Sequence, residues 1–203
     1  MFVKVCGITR EADAQVAVEC GASAIGFIFW PGSRRYVAPE VARSIVRSLP
    51  PFVTPVGVFV SEPADRVNVV AELAGLGAVQ LHGDEQPEVL DAIRFPVLKA
   101  TGRVDEVLSA GWPARVTLLV DADDRESYGG TGRKADWAAA ARAAATRRTI
   151  LAGGLRPENV VEAVQAVRPF GVDVSSGVED APGIKNPERI RALFEALRGL
   201  PRG

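Results

Sequence analysis

The sequence predicts an α/β protein that folds as a single-domain (β/α)8 barrel, the TIM-barrel architecture, over residues 1–203. Short apolar runs rich in β-branched and aromatic residues alternate with alanine-rich helical patterns. Eight runs of each kind occur, which is the number that this barrel requires. Polar residues and glycines collect directly after the apolar runs, at the edge where parallel α/β folds bind their ligands.

The first predicted strand shows the pattern clearly. Phe2, Val3 and Val5 have the side chains typical of a buried strand, and Gly7 ends it. The other predicted strands are similarly short. In order, the eight strands comprise residues 2–6, 24–29, 52–59, 78–81, 96–100, 116–121, 149–152 and 171–174.

A predicted helix follows each of these strands. Thr9 can cap the first helix, and three others have a proline in the first turn, at Pro63, Pro157 and Pro187. In order, the predicted helices comprise residues 11–20, 39–49, 63–74, 86–93, 104–110, 135–145, 157–167 and 187–197.

A doubly wound open sheet is the alternative architecture. The sequence lacks the pattern G-x-G-x-x-G after the first strand, and its eightfold rhythm is regular, so the barrel is favoured. With 203 residues the chain is at the short end of the range for this barrel, and its loops must therefore be tight.

Composition and charge exclude several kinds of partner. The formal net charge of −1 gives no electrostatic reason to expect nucleic acid or an anionic membrane. The longest apolar run, residues 24–30, is far shorter than the roughly 20 residues that span a bilayer, and the N-terminus lacks signal-peptide features. Cys6 and Cys20 fall on different elements, so a disulfide is not expected. These features predict a cytoplasmic protein.

Metal sites find little support in the sequence. One histidine and two separated cysteines cannot form a structural zinc site, although carboxylates could still bind magnesium. We therefore expect no metal ion.

Lys4 and Cys6 lie on the same face of the first strand, because strand side chains alternate with a period of two. They therefore reach the ligand-binding edge together. A free thiol titrates at a pH of about 8.5, so a catalytic base at Cys6 needs a lowered pKa, which the charge of Lys4 could supply. A buried, inert cysteine is the alternative for Cys6, and packing explains Cys20.

Two clusters at neighbouring strand ends predict a phosphate site. Gly153 and Gly154 precede a helix, and Ser175, Ser176 and Gly177 follow the eighth strand. Backbone N–H groups at such turns and at helix N-termini attract anions, and barrels often bind phosphate after strands seven and eight. The alternative is that these are ordinary turn residues.

A glycine-rich segment, YGGTG at residues 128–132, follows the sixth strand. A loop of this kind usually either moves or approaches a ligand closely. A flexible surface loop is the alternative.

Three further positions are candidates for the site. Asp121 ends an apolar strand, where a carboxylate is costly unless it is paired or functional. His82, the only histidine, either contacts a ligand or has a structural role. Arg34 or Arg35 can hold a carboxylate through its guanidinium group, unless both are solvated loop cations.

Seven segments, taken in this order, form a specific combination: KVCGITR (4–10), PGSRRY (31–36), VQLHG (79–83), LVD (119–121), GGTG (129–132), LAGGL (151–155) and GVDVSSGVE (171–179). The combination resembles the phosphoribosylanthranilate isomerase family over nearly the whole chain. The resemblance implies a cofactor-free Amadori rearrangement of a phosphosugar, N-(5-phosphoribosyl)anthranilate, to 1-(o-carboxyphenylamino)-1-deoxyribulose 5-phosphate in tryptophan biosynthesis. It also implies a monomer or a homodimer.

The resemblance assigns roles to individual residues. Asp121 is the general acid, which must be held protonated by a raised pKa and gives its proton to the ring oxygen as the C1′–O bond breaks. Cys6 is the general base, whose thiolate then removes the C2′ proton. Arg35 binds the anthranilate carboxylate, and His82 and Asp173 line the site. The phosphate contacts Gly154, Ser175, Ser176 and Gly177.

Three alternative functions remain open. The histidine-pathway aminoaldose isomerase performs a similar rearrangement, but it has an aspartate at the end of strand one, where this chain has Cys6. Indole-glycerol-phosphate synthase needs catalytic lysines and glutamates on several strands, whereas this chain has only four lysines. A non-catalytic phosphosugar-binding barrel would use the same fold.

Overall fold

A computed structural model describes residues 1–122 and 135–200 and contains a closed barrel of eight parallel strands. Neighbours in the chain are neighbours in the barrel, and the eighth strand closes it by pairing with the first. The predicted fold class is confirmed. The strands are β1 (Phe2–Val5), β2 (Ala24–Ile28), β3 (Thr54–Phe59), β4 (Ala78–Leu81), β5 (Val97–Thr101), β6 (Thr117–Val120), β7 (Thr149–Leu151) and β8 (Gly171–Val174).

Helical segments connect successive strands. A 3-10 helix, Pro87–Asp91, stands between β4 and β5. Among the described residues the α-helices are α1 (Glu11–Glu19), α2 (Pro39–Val46), α3 (Ala64–Ala74), α4 (Val104–Ser109), α5 (Trp137–Thr146), α6 (Val160–Val167) and α7 (Pro187–Leu197). None of these helices has the length and apolarity needed to cross a membrane.

Three local predictions are wrong. The fourth predicted helix, residues 86–93, is only the 3-10 helix, because none of its residues is fully buried and Val89, Leu90 and Ile93 are only partly buried against the core. Thr9 does not cap α1, since its hydroxyl donates to the Gly183 carbonyl oxygen at 2.6 Å. Phe52 is not in β3: its side chain is 93% exposed in the preceding loop.

Two short strands follow β8 that the strand–helix alternation did not predict. A 3-10 helix, Ser176–Val178, leads into an antiparallel hairpin of β9 (Glu179–Ala181) and β10 (Ile184–Lys185). Strands of two or three residues are too short to show a periodic pattern. The hairpin carries Glu179 and Lys185 to the carboxyl end of the barrel.

The interior of the barrel changes from apolar to ionic along β1. Phe2 packs against a cluster of apolar residues on β2, β3 and β4 that includes Ala24 and Val56. Lys4 and Cys6 occupy the next inward positions toward the carboxyl end, because strand side chains alternate. The larger apolar core lies between the strands and the helices and includes Phe27, Leu118 and Ile190. The polar site at the carboxyl ends of the strands therefore lies above an apolar layer inside the barrel.

Candidate active site

Cys6 follows β1 directly and lies in a closely packed environment. Its backbone N–H donates to the Val174 carbonyl oxygen of the neighbouring strand at 2.8 Å. Gly26 on β2 leaves the space for its side chain, because a Cβ there would lie 2.7 Å from the Cys6 sulfur and 3.1 Å from Lys4 Cε. The thiol and the amine therefore share one inward-facing space, as the sequence predicts.

A buried ion pair fixes the amine. Lys4 Nζ lies 2.9 Å from Asp173 Oδ2, and the Lys4 side chain has no exposed surface. Burial lowers the pKa of Lys4, but the charges of Asp173 and Cys6 outweigh this and hold its pKa above the usual range. Lys4 is therefore a permanent cation beside the thiol.

The Cys6 thiol is not acidified overall. Burial raises its pKa and Asp173 adds to the rise, whereas Lys4 and Lys185 oppose it, and the pKa ends above its ordinary value. The lowered pKa that the sequence argument requires of a base is not met by this arrangement. Most Cys6 side chains are protonated near neutral pH, and the two lysines limit the cost of forming the thiolate.

Asp121 and His82 follow β6 and β4. Asp121 is buried, with Oδ1 accepting from the Ala122 N–H at 2.7 Å and Oδ2 lying 3.8 Å from His82 Nε2. Burial lowers the pKa of His82 to about 3, helped by the charges of Lys99 and Lys4. His82 is therefore neutral near pH 7 and forms no full ion pair with Asp121.

The ring of His82 is oriented by its own strand. Gln80 Nε2 lies 3.2 Å from His82 Nδ1. With the amide donating to Nδ1, the single proton of the neutral ring is on Nε2, the nitrogen that faces Asp121. This geometry turns the Nε2–H of neutral His82 toward Asp121 Oδ2, although their separation of 3.8 Å is longer than a hydrogen bond.

Arg35 lies inside the site and Arg34 outside it. Arg34 is exposed, whereas Arg35 is buried against Glu179, with Nε 2.9 Å from Oε1 and Nη2 2.7 Å from Oε2. Its stem crosses Gly7, where a Cβ would lie 2.7 Å from Arg35 Cδ and the backbone φ is +74°. Only glycine fits this position. Of the two candidate arginines, Arg35 is the one at the site.

The two predicted phosphate loops pack against each other. A Cβ at Gly177 would overlap the Leu155 carbonyl oxygen, so the loops after β7 and β8 touch through their backbones. Asn159 holds the first loop by donating to the Gly154 carbonyl oxygen at 3.0 Å. In the second loop, the Ser175 hydroxyl is buried without a hydrogen-bond partner among the described residues.

Glu179 and Lys185 are functional candidates that the sequence argument missed. Lys185 Nζ lies 2.7 Å from Glu179 Oε1, and both side chains are buried. Burial raises the pKa of Glu179, but the hydrogen bonds from Arg35 and the charge of Lys185 outweigh this and hold it below its usual value. The available signal was the scarcity of lysine, which makes a lysine near strand eight unusual.

A separate cavity of about 270 Å³ opens beside His82 at the ends of β4 and β5. Its wall includes Lys99, whose Nζ lies 2.7 Å from Glu85 Oε2. Neither Cys6 nor Arg35 lines it.

The predicted loop at residues 128–132 lies outside the described residues. Within the described part of the chain, no three His, Cys, Asp or Glu side chains are grouped so that they could hold a metal ion.

A closed (β/α)8 barrel with buried ionisable side chains at the carboxyl ends of its strands is the architecture of the barrel enzymes. Residues 3–196 match the family described as N-(5'phosphoribosyl)anthranilate (PRA) isomerase. The chain belongs to this family, and the resemblance stated from its segments is confirmed.

Individual relatives agree with this assignment. The N-(5'-phosphoribosyl)anthranilate isomerase of Citrifermentans bemidjiense is 50% identical over 200 residues, which are 98% of this chain and 97% of the relative. A solved phosphoribosylanthranilate isomerase in complex with reduced 1-(o-carboxyphenylamino)-1-deoxyribulose 5-phosphate is 41% identical, with a TM-score of 0.86 over 98% of this chain and 100% of the other. A structure of monomers generated from the dimeric isomerase of Thermotoga maritima is 40% identical, with a TM-score of 0.86 and the same coverage.

Proposed function

We propose that this protein isomerises N-(5-phosphoribosyl)anthranilate to 1-(o-carboxyphenylamino)-1-deoxyribulose 5-phosphate in tryptophan biosynthesis. The observation that carries the proposal is the placement of Cys6 and Asp121 at the carboxyl ends of β1 and β6 in a member of this family. The rearrangement oxidises C2′ and reduces C1′ of one molecule, so it needs no external electron acceptor or cofactor.

Phosphate binding is assigned to the loops after β7 and β8. Gly153 and Gly154 have positive φ values of +82° and +63°, which shape a turn that can present backbone N–H groups. The Ser175 hydroxyl, which has no hydrogen-bond partner in the described part of the chain, supplies a further donor. Gly154, Ser175, Ser176 and Gly177 are the proposed phosphate-binding residues.

Ring opening is assigned to Asp121. In its protonated form it donates to the ring oxygen as the C1′–O bond breaks, which leaves an iminium ion between C1′ and the anthranilate nitrogen. Its burial at the carboxyl end of β6, beside His82, supports this role because it places the carboxyl group at the mouth of the barrel. We assign His82 a supporting position in the site.

Proton removal from C2′ is assigned to Cys6. The iminium ion makes this proton acidic, and the thiolate accepts it to give an enolamine that tautomerises to the ketone. The cation of Lys4 supports the thiolate. Asp173 holds Lys4 through Oδ2, while its buried Oδ1 has no partner among the described residues and is available for a sugar hydroxyl.

Arg35 is proposed to bind the anthranilate carboxylate. The guanidinium group has five N–H donors, and the Glu179 carboxylate engages the Nε and Nη2 edge of the group. This pairing fixes the orientation of the guanidinium plane, so Arg35 is oriented before the substrate enters the site.

We also propose a cytoplasmic protein with one domain over residues 1–203, present as a monomer or a homodimer. The exposed Phe52 favours the homodimer, because aromatic side chains are enriched at interfaces. Sedimentation equilibrium on the parent protein and on Phe52→Glu tests this. We expect a homodimer that Phe52→Glu converts to a monomer. A monomeric parent protein would contradict the homodimer.

The activity is tested with freshly prepared phosphoribosylanthranilate by following the loss of its anthranilate-type fluorescence. We expect turnover without added cofactor. No turnover, together with turnover of the histidine-pathway aminoaldose, would replace the proposed function by that alternative. No turnover of either substrate would favour the non-catalytic barrel.

A further inference from the structure

Two buried lysines face Cys6, and the steps above use only Lys4. The second, Lys185, has a side chain without exposed surface. Its ammonium group reaches the barrel from β10, the second strand of the hairpin. A buried cation that served only packing would be costly, because its desolvation must be repaid by its partners.

The backbone pairing places Lys185 close to the thiol. The register between β1 and β8 pairs Val5 with Val174, and continuing it by one residue sets Cys6 opposite Ser175. Lys185 Nζ donates to the Ser175 carbonyl oxygen at 3.2 Å. The ammonium group therefore binds the residue directly opposite Cys6.

Lys185 is held at both ends of its side chain. Its backbone N–H donates to Asp13 Oδ2 on α1 at 3.0 Å, and its Nζ donates to Glu179 Oε1 at 2.7 Å. The same Glu179 carboxylate engages Arg35, so one acid organises a cation on each side of it. The ammonium group is thus fixed in place before any substrate binds.

We propose that Lys185 is a positioning residue for the base: its ammonium group, fixed by Glu179 and the Ser175 carbonyl oxygen, stabilises the thiolate of Cys6. The inference rests on the proposed role of Cys6 in proton removal. It assigns the hairpin after β8 a part in the chemistry, as the element that delivers this charge.

The charge balance around Cys6 supports this role. Without Lys185, the other ionic groups cancel in two pairs, Lys4 with Asp173 and Arg35 with Glu179, and a thiolate would leave the buried cluster with a net negative charge. With Lys185, the cluster carries one excess positive charge that the thiolate neutralises. Cys6 itself is faced by Lys4, Asp173 and Lys185, and Lys185 is faced by Glu179, Arg35 and Cys6. Burial lowers the pKa of Lys185 and Arg35 adds to the decrease, against the opposing effect of Glu179 and Cys6, so the charge that Lys185 supplies is greater near neutral pH than at alkaline pH.

Thiol titration without substrate tests the proposal directly. In a Cys20→Ser background Cys6 is the only cysteine, so the ultraviolet absorbance of the thiolate reports its ionisation as the pH is raised. Lys185→Met and Lys185→Gln remove the charge, whereas Lys185→Arg keeps it. We expect the two neutral variants to ionise at higher pH than the parent and the arginine variant to ionise near the parent.

Kinetics provide the second measurement. At neutral pH we expect kcat/KM of the neutral variants to fall about tenfold, which corresponds to one unit in the ionisation of the base. The loss should lie in kcat, and it should shrink as the pH rises and the thiolate forms in both proteins. Lys185→Arg should recover most of the activity.

Lys99→Met is the matched control. It removes another buried lysine that is paired with a carboxylate, Glu85, but one that does not face Cys6. We expect it to lose stability without moving the Cys6 titration. If Lys185→Met does not fold, the titration is carried out on Lys185→Gln, whose side-chain amide can still donate to Glu179.

An unchanged Cys6 titration in a folded neutral variant would overturn the proposal. An equal shift in Lys99→Met would also overturn it, since the effect would then be general to lost ion pairs. The titration needs no turnover, so an inactive parent protein would reject the proposed isomerase function separately.

Discussion

The ammonium group of Lys4 and the carboxylate of Asp173 form a buried ion pair of 2.9 Å, and Lys4 shares the inward face of β1 with Cys6. This pairing engages the amine of Lys4, which would otherwise be a second candidate for the catalytic base. It keeps Lys4 charged, and a charged amine cannot accept a proton. The thiol of Cys6, which directly follows β1, is therefore the group that we propose as the base.

Replacement of the proposed base is the first prediction. Cys6→Ala should lower kcat by about 10²–10⁴-fold, because it removes the proton acceptor while leaving the binding groups in place. Cys20→Ala is the control, since Cys20 lies at the end of α1 and is expected to keep the parent activity. Steady-state fluorescence kinetics measure both, and near-normal turnover of Cys6→Ala would remove Cys6 from its role.

Replacement of the proposed acid is the second prediction. Asp121→Asn should also lower kcat by about 10²–10⁴-fold, because an amide of the same shape cannot protonate the ring oxygen. Asp84→Asn is a control, because Asp84 is exposed. Circular dichroism should show that both variants are folded. Retained turnover in folded Asp121→Asn would assign the acid elsewhere.

The carboxylate clamp gives the third prediction. Arg35→Ala should raise KM about tenfold or more, which corresponds to about 1.4 kcal/mol of lost binding, with a smaller effect on kcat. Arg34→Ala, which alters the exposed neighbour, should leave KM near the parent value. An unchanged KM in folded Arg35→Ala would contradict the clamp.

The low pKa of His82 predicts a dependence of stability on pH. The pKa is about 3 in the folded protein and 6.5 when unperturbed, so below pH 6.5 the unfolded chain binds a proton that the folded protein does not. The free energy of unfolding should therefore fall as the pH is lowered from 6.5 toward 3, by up to about 1.4 kcal/mol per pH unit from this group.

Carboxylates titrate in the same range, so the contribution of His82 is measured as a difference. Urea unfolding of the parent and of His82→Asn at a series of pH values isolates it. The parent should lose more stability on acidification than the variant. Parallel curves for the two proteins would show that His82 is not held neutral.

The barrel and its order of strands and helices could be predicted from the sequence, because they depend on periodic hydrophobic patterns. Alternating residues place Lys4 and Cys6 on one face, and the ends of apolar runs locate Asp121 and the phosphate loops within a residue or two. The third strand begins at Thr54 rather than at Phe52 because composition alone cannot tell an exposed aromatic residue from a buried one.

The ionic contacts of the site follow no such pattern. Arg35 and Glu179 are 144 positions apart, and Lys4 and Asp173 are 169 apart. No local periodicity in the sequence indicates such distant pairings. Sequence analysis therefore identified Arg35 but not Glu179, the acid that orients it. The hairpin with Lys185 was missed for the related reason that its strands are too short to be periodic.

Three contacts between distant parts of the chain also bear on how the barrel could be divided. Lys4, Arg35 and His82 belong to the first four strand–helix units, and their partners Asp173, Glu179 and Asp121 belong to the last three. A chain broken anywhere between residues 82 and 121 would give two fragments, each with one member of each of these three pairs. Neither half alone could form the Lys4–Asp173, Arg35–Glu179 or His82–Asp121 contacts, so we expect activity to return only when the two fragments recombine into one closed ring.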